Sequence, residues 1–116
     1  MEIIRKKLKL QKEEFNKKHL LVINHLLPVQ MTNKEAVVLA AFLALEGDLA
    51  KDPFSTTGRK IVMEKTGLKP GGLGNFLRTL KEKELVLENE EGNMYILPIL
   101  IPNEGRQLYQ FVLEVE

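Results

Sequence analysis

The sequence predicts an α+β domain, mainly α, in which a helix–turn–helix leads into a β-hairpin. Three observations carry this. Gly67 can close one helix, because glycine takes the left-handed conformation at little cost just past a helix end. Pro70 suits the first turn of the next helix, where its missing N–H loses nothing. Leu73, Phe76, Leu77 and Leu80 then recur at three- and four-residue spacing, and Leu85–Glu88 and Met94–Leu97 flank a turn-rich Asn89-Glu90-Glu91-Gly92-Asn93.

The 116 residues are enough for one core, so residues 1–116 are expected to form one domain. Residues 1–10 alternate, with Ile4, Leu8 and Leu10 against Arg5, Lys7 and Lys9, as in a strand. Lys12–Leu27 carries a broad apolar stripe of Phe15, Leu20, Val22, Ile23, Leu26 and Leu27, and Pro28 stops it. Thr32-Asn33-Lys34-Glu35 fits a capping box, in which threonine oxygen and glutamate carboxylate each satisfy an unpaired backbone N–H.

Ala36–Leu45 follows, apolar nearly all round and too short to cross a bilayer, so it is expected as the central buried helix, closed by Gly47. Lys51–Thr57 reads as a loop around Pro53, with Thr56 or Thr57 capping a helix that begins near Arg59. The second helix of the pair spans Pro70–Lys81. Pro98 and Pro102 end regular pairing, and Gln107–Glu116 alternates as a last strand, expected to pair with residues 1–10.

Net charge is +1, but its distribution is uneven. Residues 51–83 hold eight lysines and arginines against three acids, +5, and residues 1–20 carry +4. Residues 84–116 hold one arginine against seven acids, −6. A basic segment on the helix pair can release counterions from DNA; a solvated charged surface is the plainer alternative. The absence of cysteine excludes disulfide, thiolate-metal and thiol-nucleophile chemistry. No apolar signal segment precedes residue 11, so a cytoplasmic protein without a membrane anchor is expected.

From Thr32 to Leu97 the order helix, helix, turn, helix, two-stranded wing resembles the winged helix–turn–helix superfamily. Gly67–Val86, GLKPGGLGNFLRTLKEKELV, is similar to that superfamily's turn, recognition helix and first wing strand, as found in bacterial and phage regulators and replication initiators. The resemblance implies a winged-helix core at 32–97, with a strand-and-helix extension at 1–31 and a strand extension at 98–116. It implies Lys69, Gly71, Gly72, Asn75, Arg78 and Thr79 as recognition-helix contacts, with Ser55, Thr56 and Arg59 on the DNA backbone. Lys81 belongs to the same polar face. Glu84 stands where glycine is common before the wing, and the acidic Glu90-Glu91 tip would repel phosphate.

Gly71, Gly72 and Gly74 admit two explanations: close approach of a phosphate to a helix N-terminus, or close packing against a neighbouring helix. Arg78, Arg59 and Lys60 are phosphate or base contacts, or solvated surface cations. Arg5, Lys6, Lys7 and Lys9 read as guards on an edge strand. His19 and His25 lie six apart, off a common face, and are expected at the surface or its boundary. Glu46, Asp48 and Asp52 lack calcium-loop spacing, and Ser55, the only serine, sits in no nucleophile motif. Neither an enzyme nor a metal or cofactor is expected.

The expected function is double-stranded DNA binding, as a transcriptional regulator using Pro70–Lys81 as recognition helix, with dimerisation supplying two half-sites. The alternative is a non-enzymatic protein–protein interaction module, a winged-helix scaffold within a larger assembly such as a phage one.

Overall fold

The capping box of Thr32 and Glu35 starts the helix on which the others pack. The Thr32 hydroxyl accepts from the Glu35 N–H at 3.1 Å, and Glu35 Oε1 accepts from the Thr32 N–H at 2.7 Å. A computed structural model describes residues 2–116. Its elements are α1 (Lys12–Ile23), continued by a 3-10 turn at Asn24–Leu26, then α2 (Asn33–Leu43), a single-turn α3 (Asp48–Lys51), α4 (Thr56–Thr66) and α5 (Pro70–Glu82). The antiparallel strands β1 (Val86–Glu88) and β2 (Met94–Ile96) follow, and then a 3-10 turn at Pro98–Leu100. The class is α+β, mainly helical, as the sequence predicts.

Helix α2 is buried almost all round, with Ala36 and Val38–Phe42 inside the core. Leu20 and Ile23 of α1, Val62 of α4 and Leu73, Leu77 and Leu80 of α5 close around it. Phe42 meets Phe54 from the α3–α4 loop with ring centroids 4.6 Å apart. Asn24 fixes the α1–α2 connection, since its amide accepts from the Met31 N–H at 2.8 Å and donates to the Met31 carbonyl at 3.0 Å.

The α4–α5 turn is built as expected. Gly67 is left-handed (φ 74°), its N–H reaches the Met63 carbonyl at 2.9 Å, and Pro70 opens α5. At the far end, the Leu85 N–H bonds the Leu80 carbonyl at 2.9 Å and the Glu84 N–H bonds the Lys81 carbonyl at 3.0 Å. This is a Schellman closure, and it puts Glu84 at φ 61°, the conformation glycine takes most easily. Buried Leu80 and Leu85 supply its apolar contact. The hairpin pairs Val86 with Ile96, Leu87 with Tyr95 and Glu88 with Met94.

Several local expectations are corrected. Ser55, not Thr56 or Thr57, caps α4, accepting from the Gly58 N–H at 3.1 Å. The Gly58 Cα abuts the Pro53 carbonyl, which locks the start of α4 to the preceding loop. Helix α2 ends at Leu43 with Ala44 still right-handed, and Gly47 (φ 61°) instead precedes α3, a turn of helix that meets the expected Lys51–Thr57 loop only at Lys51. Helix α1 stops at Ile23 and its 3-10 continuation ends at Leu26, because Pro28 holds Leu27 extended.

Residues 2–10 and 107–116 form no strand. Alternation alone does not make one: a strand needs a hydrogen-bonded neighbour, and the two segments do not pair with each other. Met1, the first residue of the expected strand, lies outside the described residues.

Two substitutions check this construction by denaturant unfolding. Gly58→Ala places a methyl against the Pro53 carbonyl oxygen and should destabilise the fold by about 2 kcal/mol or more. Glu84→Gly relieves the left-handed position and should stabilise it by roughly 1 kcal/mol.

Candidate nucleic-acid interface

Helix α5 buries Leu73, Leu77 and Leu80. Opposite them, Gly71, Asn75, Arg78 and Glu82 recur at the four- and three-residue spacing of one exposed stripe. Lys69 is the N-cap residue and is exposed, and its side chain makes no capping bond. A Cβ built at Gly71 or Gly74 would meet nothing within 4 Å, and at Gly72 only the flexible end of Leu68 at 3.5 Å. Close helix packing inside this chain therefore does not require these glycines.

The other candidates are more engaged. Thr79 is half-buried, with Oγ1 2.9 Å from Glu35 Oε2 and 3.0 Å from the Phe76 carbonyl. Its hydroxyl faces α2. Ser55 is spent on the α4 cap, and Arg59 Nε donates to the Phe54 carbonyl at 2.8 Å. Thr56 is exposed in the first turn of α4. Lys81 Nζ lies 3.5 Å from Glu88, tying α5 to β1.

The charge excess of residues 51–83 is thus largely committed. Lys65 pairs with Glu13, Lys81 with Glu88 and Lys83 with Glu35. Lys51 and Arg78 lie 3.9 Å from Asp48 and Glu82, sequence neighbours on their own helices. Such exposed pairs hold their partners weakly, so Arg78 remains available to an incoming anion. Lys60 and Lys69 make no ion pair among the described residues. The acidic Glu90 and Glu91 stand exposed at the hairpin tip, where Asn89 Oδ1 accepts from the Glu91 and Asn93 N–H groups.

Glu35 governs how α5 sits, and sequence reasoning saw only its local part. Beyond the capping box, its carboxylate takes a 2.5 Å bond from Lys83 and faces the Thr79 hydroxyl. It is 3% exposed. Burial pushes this carboxyl up; the Lys83 hydrogen bond, the Thr32 N–H, the Thr79 hydroxyl and the Lys83 charge outweigh it, leaving the group below its ordinary value. Spacing marked Glu35 as a cap, but nothing local pointed to Thr79 and Lys83, more than forty residues on.

His19 is a correction: it is buried, not at the surface. Its Nε2 lies 3.4 Å from the Ile99 carbonyl and its Nδ1 2.6 Å from the Tyr109 hydroxyl. A carbonyl can only accept, so the proton sits on Nε2 and Nδ1 accepts from tyrosine. Burial lowers the histidine pKa, opposed by the Ile99 bond, and burial raises that of Tyr109. The contact fastens residue 109 to the middle of α1.

No group of three or more histidine or acidic side chains could hold a metal among the described residues, and none of their helices is long and apolar enough to cross a membrane. Comparisons with protein families, with curated proteins and with solved structures find no match for this chain.

Glu35→Ala strands Lys83 and opens the capping box, and should cost about 3 kcal/mol, the low end for a broken buried pair because Lys83 keeps some contact with water. The carboxyl's folded pKa is lowered, so its stabilisation is complete above its ordinary value and lost as pH falls through the lowered one. Unfolding measured from pH 5 downward should show an acid limb that Glu35→Gln flattens. His19 is also lowered: its neutral form belongs to the fold, and stability should decline as pH falls below 6.5. That decline should be absent in His19→Gln.

Proposed function

We propose that this chain is a winged helix–turn–helix protein that binds double-stranded DNA through α5, as a transcriptional regulator. Here α4, the Gly67–Lys69 turn and α5 form the helix–turn–helix, and β1–β2 the wing. The observation that carries the reading is the α5 stripe: an arginine and an asparagine beside backbone left open at Gly71 and Gly74, with Lys69 at the positive helix end. An open helix N-terminus suits phosphate, and arginine and asparagine are the side chains that pair bidentately with guanine and adenine. Thr79, Ser55 and Arg59 hold the frame, so Lys60, Lys69, Asn75 and Arg78 are the proposed contacts. The acidic wing tip stays off the phosphates.

Fluorescence anisotropy with random duplex DNA across a salt series tests this. Lys60 and Lys69 on phosphate predict a log–log slope of about −2. Arg78→Ala should weaken specific binding by about 1–3 kcal/mol if it reads a base. No binding at low salt would overturn the proposal.

The exposed acidic tip favours a second reading, a winged-helix scaffold that docks a protein within a larger assembly. It predicts that Arg78→Ala leaves partner binding unchanged.

A further inference from the structure

The two segments flanking the helical body each lack a partner that their chemistry calls for. In residues 2–11, Ile3, Ile4 and Leu8 are exposed, and four cations (Arg5, Lys6, Lys7, Lys9) stand against Glu2 alone. In residues 107–116, Leu108, Phe111, Val112, Leu113 and Val115 are exposed, and the only charges are Glu114 and Glu116. Among the described residues, no backbone–backbone hydrogen bond involves residues 2–10 or 107–116. The chain is less compact than its length allows: the radius of gyration is 15.4 Å, against about 13 Å for a compact chain of this length, and the long axis reaches 50 Å.

We propose that these arms are exchanged between two copies of the chain, the basic arm of one pairing with the acidic arm of the other in a two-fold dimer. The occupant follows from the charges. A basic alternating arm needs an acidic alternating arm, and this chain carries one of each, unpaired with the other. In antiparallel pairing that sets Lys7 opposite Glu114, Arg5 faces Glu116, while Leu8 and Leu10 face Leu113 and Phe111. This register sets both acids of one arm against cations of the other, with Lys9 opposite Val112 and Lys6 opposite Val115. A two-fold axis then uses every arm and closes the assembly without an open polymer. Tyr109, held on His19, fixes the acidic arm's root to α1, the helix from which the basic arm departs at Gln11. The proposal is independent of DNA binding.

Sedimentation velocity on the full chain tests it, with three samples. The first is the native protein. The second carries Arg5→Glu and Lys7→Glu, and the third Glu114→Lys and Glu116→Lys. The native protein should sediment at twice the 13.3 kDa chain mass at micromolar concentration. Each reversed variant alone should dimerise about tenfold more weakly or worse. Mixed in equal amounts, they should recover the dimer, because each basic arm again meets an acidic one. Circular dichroism confirms that each variant is folded. A native protein that stays monomeric, reversed variants that dimerise unimpaired, or a mixture that does not recover would each overturn the proposal.

Discussion

The Glu35 carboxylate uses both oxygens, and its bonds belong to different parts of the chain. Oε1 closes the capping box on the Thr32 N–H and accepts from Lys83, while Oε2 meets Thr79. A charge this deep in the core is tolerated only because it is so fully bonded. The consequence is geometric. The first turn of α2 is joined to the last turns of α5, so α5 cannot rotate about its own axis without breaking a buried ionic contact. Leucines alone leave a helix some freedom to roll. With Leu73, Leu77 and Leu80 buried and Thr79 held against α2, Gly71, Asn75, Arg78 and Glu82 are left on the solvent side of α5.

The same commitment changes the meaning of the charge pattern. Counting residues 51–83 gives +5, yet lysines 65, 81 and 83 serve as tethers to α1, β1 and α2. A tether of this kind contributes to orientation more than to stability when it is exposed. What remains for an outside anion is a small set: Arg78 on α5, Lys69 at its N-cap and Lys60 on α4. Small sets of cations give modest electrostatic affinity, so selectivity would depend on where α5 is held, and Glu35 decides that.

Local chemistry made the helical part of this fold legible. The Thr32–Glu35 box, the Gly67 closure, Pro70 and the leucine spacing of α5 each depend on residues within a turn of one another, and each stands as expected. Ser55 shows the limit of that logic. Three adjacent hydroxyl residues could all cap α4, and contacts outside the helix select among them: Gly58 against Pro53 and Arg59 on the Phe54 carbonyl. His19 is expected at the surface or its boundary because it shares no helix face with His25, and its burial is set by Ile99 and Tyr109, some ninety residues away at the farther contact. The strands failed for a related reason. Alternation records a preference for two faces, whereas a ladder requires a second chain segment, and no local signal names it.

The glycines of α5 point to where this chain and its surroundings meet. A glycine inside a helix costs roughly 1 kcal/mol relative to alanine, and α5 places three within its first five residues. At Gly58 the backbone of Pro53 explains the glycine; at Gly71 and Gly74 no atom of this chain does. Alanine would fit at both positions and strengthen the helix. Internal packing does not require that cost, and on the proposed reading it leaves room for a DNA phosphate to approach the α5 backbone more closely than a side chain would allow.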